Sequence, residues 1–120
     1  MIGTIENSYG HHKTKSVLTT PDTLQLNKLI SKMSKSKIDE IFLEVSSHAL
    51  EQKRVSSVHF DTAIFTNITQ DHLDYHKTMN NYFLSKQLLS DYYLKRSIKK
   101  RKYAIVNIDD KYGKRYESCV

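Results

Sequence analysis

Glu44 ends an apolar run, Ile41-Phe42-Leu43, and is followed by Val45 and then by Ser46-Ser47-His48. An ionised carboxylate in such a run is costly unless it is solvated, paired or bound to a ligand. The position therefore reads as a surface-facing strand residue, a structural ion pair, or a metal or ligand site. Ser46 or Ser47 can cap a following helix. A nucleophile–base reading of the Ser-His pair has little support, because adjacent residues seldom orient that way and no nucleophile-elbow glycines flank them. A second group, Asp71-His72-Leu73-Asp74-Tyr75-His76, alternates His72, Asp74 and His76. That pattern can hold a divalent metal on a helix face or in a turn, although it completes no strict zinc spacing. Lys86 lies beside the apolar stripe made by Tyr82, Phe83 and Leu89. A lysine so placed either buries its stem and carries its charge out to water, or is partly desolvated and exposes a reactive neutral amine.

These residues need elements to hold them. Pro21-Asp22 after Thr19-Thr20 is a helix-start signal, with Thr20 as cap and Pro21 in the first turn. Leu24, Leu26, Leu29, Ile30 and Met33 follow at roughly helical spacing, so residues 21–35 are expected to form an amphipathic helix. The runs 41–45, 63–66 and 103–106 read as buried strands, and 79–94 as a helix, while the polar stretch 6–16 reads as a loop. Continuous apolar strands with intervening helices point to an α/β fold with a mostly parallel sheet covered on both faces. In such sheets ligands gather at the carboxyl ends of the strands. Here those ends carry Glu44 to His48, Asn67, and Asn107 with Asp109-Asp110.

Composition narrows the classes. At 120 residues the chain is at most one domain, with no repeat or linker to mark a boundary. Its formal net charge of +6 comes from 19 Lys and Arg against 13 Asp and Glu. The one dense basic cluster, Lys95-Arg96 with Lys99-Lys100-Arg101-Lys102, falls between a predicted helix and strand, where a solvated connection is the usual explanation. No nucleic-acid motif accompanies it, and neither a nucleic acid nor a membrane is expected as partner. No signal pattern or membrane-length apolar run occurs. The single cysteine, Cys119, allows no internal disulfide, so a reducing cytoplasm is the expected compartment. The three glycines, Gly3, Gly10 and Gly113, are too far apart for a phosphate-cradling loop or a dinucleotide fingerprint within these residues.

Taken in order, the segments resemble the Mur ligases, and among them the MurE type. The resemblance rests on Ile2-Gly3-Thr4, Thr19-Thr20-Pro21, Glu44 to Leu50 with Gln52 and Arg54-Val55, and Phe65-Thr66-Asn67. It continues through Asp71 to His76, Tyr82 with Lys86, and Asn107-Ile108-Asp109-Asp110. It implies an incomplete Rossmann-like α/β fold, with residues 1–120 forming part of the family's central, ATP-binding domain. It also implies an ATP-dependent amide-forming reaction of peptidoglycan synthesis, in which UDP-N-acetylmuramoyl-L-alanyl-D-glutamate receives a diamino acid through an acyl phosphate. On this resemblance Glu44 would bind the Mg2+ shared with ATP, and His72 a second Mg2+. Lys86 would be the lysine that the family carbamoylates to help hold the second ion. Thr19, Thr20, Ser46, Gln52 and Arg54 would hydrogen-bond the UDP-muramoyl-peptide, while Asn67 and Asn107 would approach the nucleotide.

The departures from the family are also specific. Its Gly-rich phosphate loop precedes the segment matching Ile2-Gly3-Thr4, and the UDP-binding and C-terminal domains have no counterpart in these residues. The expectation is a fragment with marginal stability and no ligase activity of its own, since the phosphates of ATP would lack their main cradle. The alternative is a non-catalytic remnant or binding module that keeps a muramoyl-peptide or magnesium site.

Overall fold

The computed structural model describes residues 1–117, and Cys119 lies outside them. The chain divides into two compact units, Met1–Ser57 and a second beginning at Val58.

In the first unit, the polar stretch expected as a loop is an antiparallel hairpin of β1 (Glu6–Tyr9) and β2 (His12–Lys15), paired Glu6 to Lys15 through Tyr9 to His12. Gly10 opens its turn at φ 52°, a left-handed conformation that costs glycine little. The strands are polar because the ribbon is largely solvated rather than folded over a core. Next comes α1 (Thr23–Lys35), whose cap is Asp22 and not Thr20. The Asp22 carboxylate accepts the Gln25 N–H at 2.9 Å. Leu26 and Met33, seven residues apart and hence on one face, are fully buried, whereas Leu24 is 65% exposed. The run 41–45 does not become a full strand. Leu43 makes one parallel bridge to Ile2, framed by Ile2 N–H to Phe42 O (2.8 Å) and Glu44 N–H to Ile2 O (2.9 Å). A short helix, α2 (Ser47–Glu51), begins at Ser46, whose hydroxyl accepts the Ala49 N–H. It carries Ala49 and Leu50 into the interior with Val55.

The second unit is a strand–helix–strand crossover. Strand β3 (Thr62–Phe65) pairs in parallel with β4 (Tyr103–Val106), Thr62 opposite Tyr103 and Phe65 opposite Val106. Parallel pairing requires a long connection. It is supplied by α3 (Leu73–His76), α4 (Met79–Leu88) and a π-helical stretch, Leu89–Leu94, where one continuous α-helix was expected. The core gathers Phe65, Ile68, Tyr82, Phe83 and Tyr116, with Met79, Val106 and Tyr112 packed against it. Alternation along the strands turns Phe65 inward, while Ile64 and Ile105 are each more than half exposed. Among the described residues, helices therefore cover one face of this pair. A final helix, α5 (Lys111–Glu117), starts where Asp110 accepts the N–H groups of Tyr112 and Gly113. Gly113 is a close-approach glycine: an added Cβ would stand 1.8 Å from the Asn107 carbonyl oxygen. The described residues include no helix long and apolar enough to cross a membrane.

Candidate functional site

The sequence candidates fall into two groups, one in each unit. In the first, the Ile2–Leu43 bridge brings Thr4 beside Glu44 across 40 residues of sequence. The Thr4 hydroxyl donates to Glu44 Oε2 at 2.6 Å, and the Thr4 N–H lies 3.3 Å from the same oxygen. The Thr19 and Thr4 hydroxyls are 3.2 Å apart. The other carboxylate oxygen, Oε1, packs over Gly3, where a Cβ would come within 2.5 Å of it. Glu44 is thus exposed and held by one edge, and no salt bridge is recorded for it among the described residues. An oriented carboxylate in contact with water is a suitable donor for a hard divalent cation such as Mg2+.

Thr20 holds the Glu44 backbone rather than its carboxylate. Expected to touch substrate, it is instead fully buried, and its hydroxyl donates to Glu44 O (2.9 Å) while accepting the Ser46 N–H (3.0 Å). It ties the end of the apolar run to the start of α2, which places Ser46 next to Glu44 for structural reasons. Arg54, half-buried, donates through Nη1 to Thr20 O at 3.0 Å. Its Nε and Nη2 both reach Gln52 Oε1, at 3.0 and 2.6 Å. With Thr4 as a link, Glu44, Thr19, Thr20, Ser46, Gln52 and Arg54 therefore belong to one hydrogen-bonded network.

In the second unit the organising residue is Tyr82, which the sequence offered as part of an apolar stripe and, with Lys86, as part of the family resemblance. Its ring stacks on the buried His76 at 4.9 Å and 10°, and His72 meets it edge-on at 5.8 Å. The Lys86 ammonium lies 5.3 Å from the ring centroid. His72 adopts a left-handed backbone (φ 54°), supported by its N–H donating to Asp71 Oδ1 at 2.7 Å. Asp71 Oδ2 is also 3.3 Å from His72 Nε2. Desolvation holds the Lys86 amine below its ordinary pKa, and the Asp71 charge partly opposes the shift. Burial, with Asp71 adding to it, raises that of Tyr82. His76 does not join His72 as a second imidazole: it is 3% exposed, and its Nδ1 lies 3.3 Å from the Ser85 hydroxyl. Among the described residues no group of three or more His, Cys, Asp and Glu is placed to hold a metal ion. A carboxylate-like group on Lys86 would give the Asp71–His72 pair a third donor, and a second anionic one.

The two nucleotide candidates behave differently from each other. Asn67 is exposed at the carboxyl end of β3. The Asn107 side chain instead fastens strand ends, donating to Thr66 O at 2.8 Å and accepting the Asp109 N–H at 3.0 Å.

Residues 1–119 match the family described as Mur ligase middle domain. The UDP-N-acetylmuramoyl-L-alanyl-D-glutamate–2,6-diaminopimelate ligase 1 of Clostridium acetobutylicum is 50% identical over 115 residues, covering 96% of this chain and 22% of the relative. The corresponding ligase of Fusobacterium nucleatum is 50% identical over 114 residues, covering 95% of this chain and 22% of that protein. A solved structure of a ligase with the same substrate name superposes with a TM-score of 0.72 at 30% identity, covering 88% of this chain and 20% of that one. The chain spans about a fifth of the length of these relatives. With its α/β architecture and all but its last residue matched, the chain belongs to the Mur ligase family, as a middle domain.

Proposed function

We propose that these residues serve an ATP-dependent ligase that joins 2,6-diaminopimelate to UDP-N-acetylmuramoyl-L-alanyl-D-glutamate, a cytoplasmic step in peptidoglycan synthesis. The observation that carries this reading is the match to ligases of that name across 96% of the chain at 50% identity. A carboxylate is a poor electrophile until one of its oxygens becomes a good leaving group. ATP would supply that group by phosphorylating the glutamyl carboxylate. The diaminopimelate amine would then attack the acyl phosphate, forming the amide and releasing phosphate.

In this reading the chain's own side chains bind and orient. Glu44 would hold a Mg2+ ion, with Thr4 and Gly3 fixing its carboxylate. His72 and Lys86 would hold a second ion once Lys86 is carbamoylated, a modification that needs a neutral amine and so suits a desolvated lysine. Magnesium, when bound, offsets negative charge on the transferring phosphate. Thr19, Ser46, Gln52 and Arg54 would face the muramoyl-peptide, with the Arg54 guanidinium suited to its anionic groups. Thr20 would act through Ser46 rather than by contact. Asn67 would approach the nucleotide, and Asn107 would support that edge by joining the ends of β3 and β4.

The test is a chimera in which these 120 residues replace their counterpart in the Clostridium acetobutylicum ligase. Phosphate release that requires both ATP and diaminopimelate supports the assignment. A folded chimera that stays silent beside an active parent refutes it. The 120 residues alone are expected to show no turnover, because they contain no Gly-rich phosphate loop.

A further inference from the structure

We infer that Thr4 is the positioning residue for Glu44, and that Gly3 is kept without a side chain so that the carboxylate can lie against the backbone. The inference rests on the reading of Glu44 as a metal-binding carboxylate. Its structural half stands on geometry alone. A carboxylate on a free glutamate side chain rotates, yet here its two oxygens are in different hands. Oε2 receives the Thr4 hydroxyl at 2.6 Å, within the range of a charge-assisted hydrogen bond, and has the Thr4 N–H at 3.3 Å. Oε1 occupies the space that a Cβ on Gly3 would fill, 2.5 Å from where that carbon would be.

Gly3 itself cannot drift. Its carbonyl accepts the Ser16 hydroxyl at 2.5 Å, and the neighbouring Ile2 is fixed by the bridge to Leu43. From the other side, Thr20 holds the Glu44 carbonyl and Thr19 backs the Thr4 hydroxyl. Backbone and side chain of Glu44 are therefore both fixed by short polar contacts, while the residue as a whole remains exposed. A structural carboxylate would be expected to end in an ion pair or an interior network. This one is oriented and presented to solvent, an arrangement that pre-organises a ligand for a hard cation. A partner that orients a metal ligand commonly contributes about 10–100-fold to metal affinity.

The experiment uses the 120-residue chain with Mn2+ as a paramagnetic probe and NMR as a second, metal-free readout. In the unaltered protein, NOEs are expected between the Glu44 γ-protons and the Gly3 α-protons. Thr4→Val should abolish them and weaken Mn2+ binding about tenfold. Thr4→Ser, which keeps the hydroxyl, should restore both. If the valine variant unfolds, Thr4→Ala removes the same hydroxyl without the added methyl group and is read in its place. Unchanged NOEs and Mn2+ affinity on loss of the hydroxyl would overturn the assignment of Thr4. Mn2+ binding that ignores Glu44→Gln would overturn the metal reading instead, and the NOEs would still decide whether Thr4 positions the carboxylate.

Discussion

The two polar groups are held by opposite means. Glu44 is oriented by hydrogen bonds from Thr4 and by the bare, buried backbone of Gly3, while Thr4 and Glu44 themselves are exposed. His72 and Lys86 are gathered around one aromatic ring, His72 also bonded to Asp71 and Lys86 partly desolvated. Each method suits its group. A carboxylate needs to stay charged, so water and O–H or N–H donors are left around it. Around the amine water is partly taken away, which favours its neutral form. The first site should respond to changes of single hydrogen bonds with little effect on stability, while the second should be inseparable from the core of its unit.

The largest effect expected from this contrast follows removal of Tyr82. The ring is 6% exposed and touches His76, His72 and Lys86, besides belonging to the core with Phe65 and Phe83. Tyr82→Ala should cost about 3 kcal/mol or more, as deletion of a buried aromatic side chain does. Denaturant unfolding of the variant measures the loss. A cost below about 1 kcal/mol would mean that the ring is dispensable to the core and would break the contrast.

How far such features can be read from sequence depends on whether they are local. Helix α1 was legible because Leu26, Leu29, Ile30 and Met33 repeat at helical spacing, yet its cap fell on Asp22 because Thr and Asp carry the same signal two residues apart. The β1–β2 hairpin was hidden by its polar strands, which show no apolar alternation, and only Gly10 marked its turn. Nothing in the composition of residues 89–94 distinguishes π-helical from α-helical bonding. Glu44, His72 and Lys86 stood out by residue type and position, and their proposed metal roles came only from the family resemblance. Their supports did not stand out, since Thr4 lies 40 residues from Glu44 in sequence and meets it only through the Ile2–Leu43 bridge. His76 looked like a partner for His72 by spacing, but stacking on Tyr82 turns it into the interior. Asn107 was placed correctly at a strand end, while its hydrogen bonds to Thr66 and Asp109 depend on pairing that spacing does not reveal.

A second, smaller effect should come from the charge on Lys86. Burial lowers its folded pKa below the ordinary value of 10.5 that the unfolded chain approaches. Below the folded pKa the amine is charged in both states, and its desolvation opposes folding in full. As pH rises from the folded pKa towards 10.5, the native state releases its proton first, so this penalty fades and stability rises with pH. Lys86→Met removes the titration and retains a long apolar stem. The variant should therefore be more stable than the unaltered chain near neutral pH, and its advantage should shrink as pH approaches 10.5. Thermal unfolding of both proteins across that range gives the comparison. An advantage that grows with pH would show that the amine is held in its charged form, as a directed ion pair would hold it.

The finest test concerns Asp71, a carboxylate whose charge acts on both Lys86 and Tyr82. It raises both pKa values, opposing desolvation at the lysine and adding to it at the tyrosine. Asp71→Asn removes the charge while leaving an amide oxygen able to accept the His72 N–H. With the left-handed turn preserved, the stability change should stay within about 1 kcal/mol, since the Asp71–His72 pair is largely exposed. The electrostatic consequence is directional: the pKa of Lys86 should fall further, and that of Tyr82 should fall with it. Titration of the Lys86 ε-carbon and Tyr82 ζ-carbon signals by NMR reads the two shifts separately. If Tyr82 falls while Lys86 rises, the amine is not governed by the shared Asp71 field, and packing around the ring no longer explains how this site is tuned.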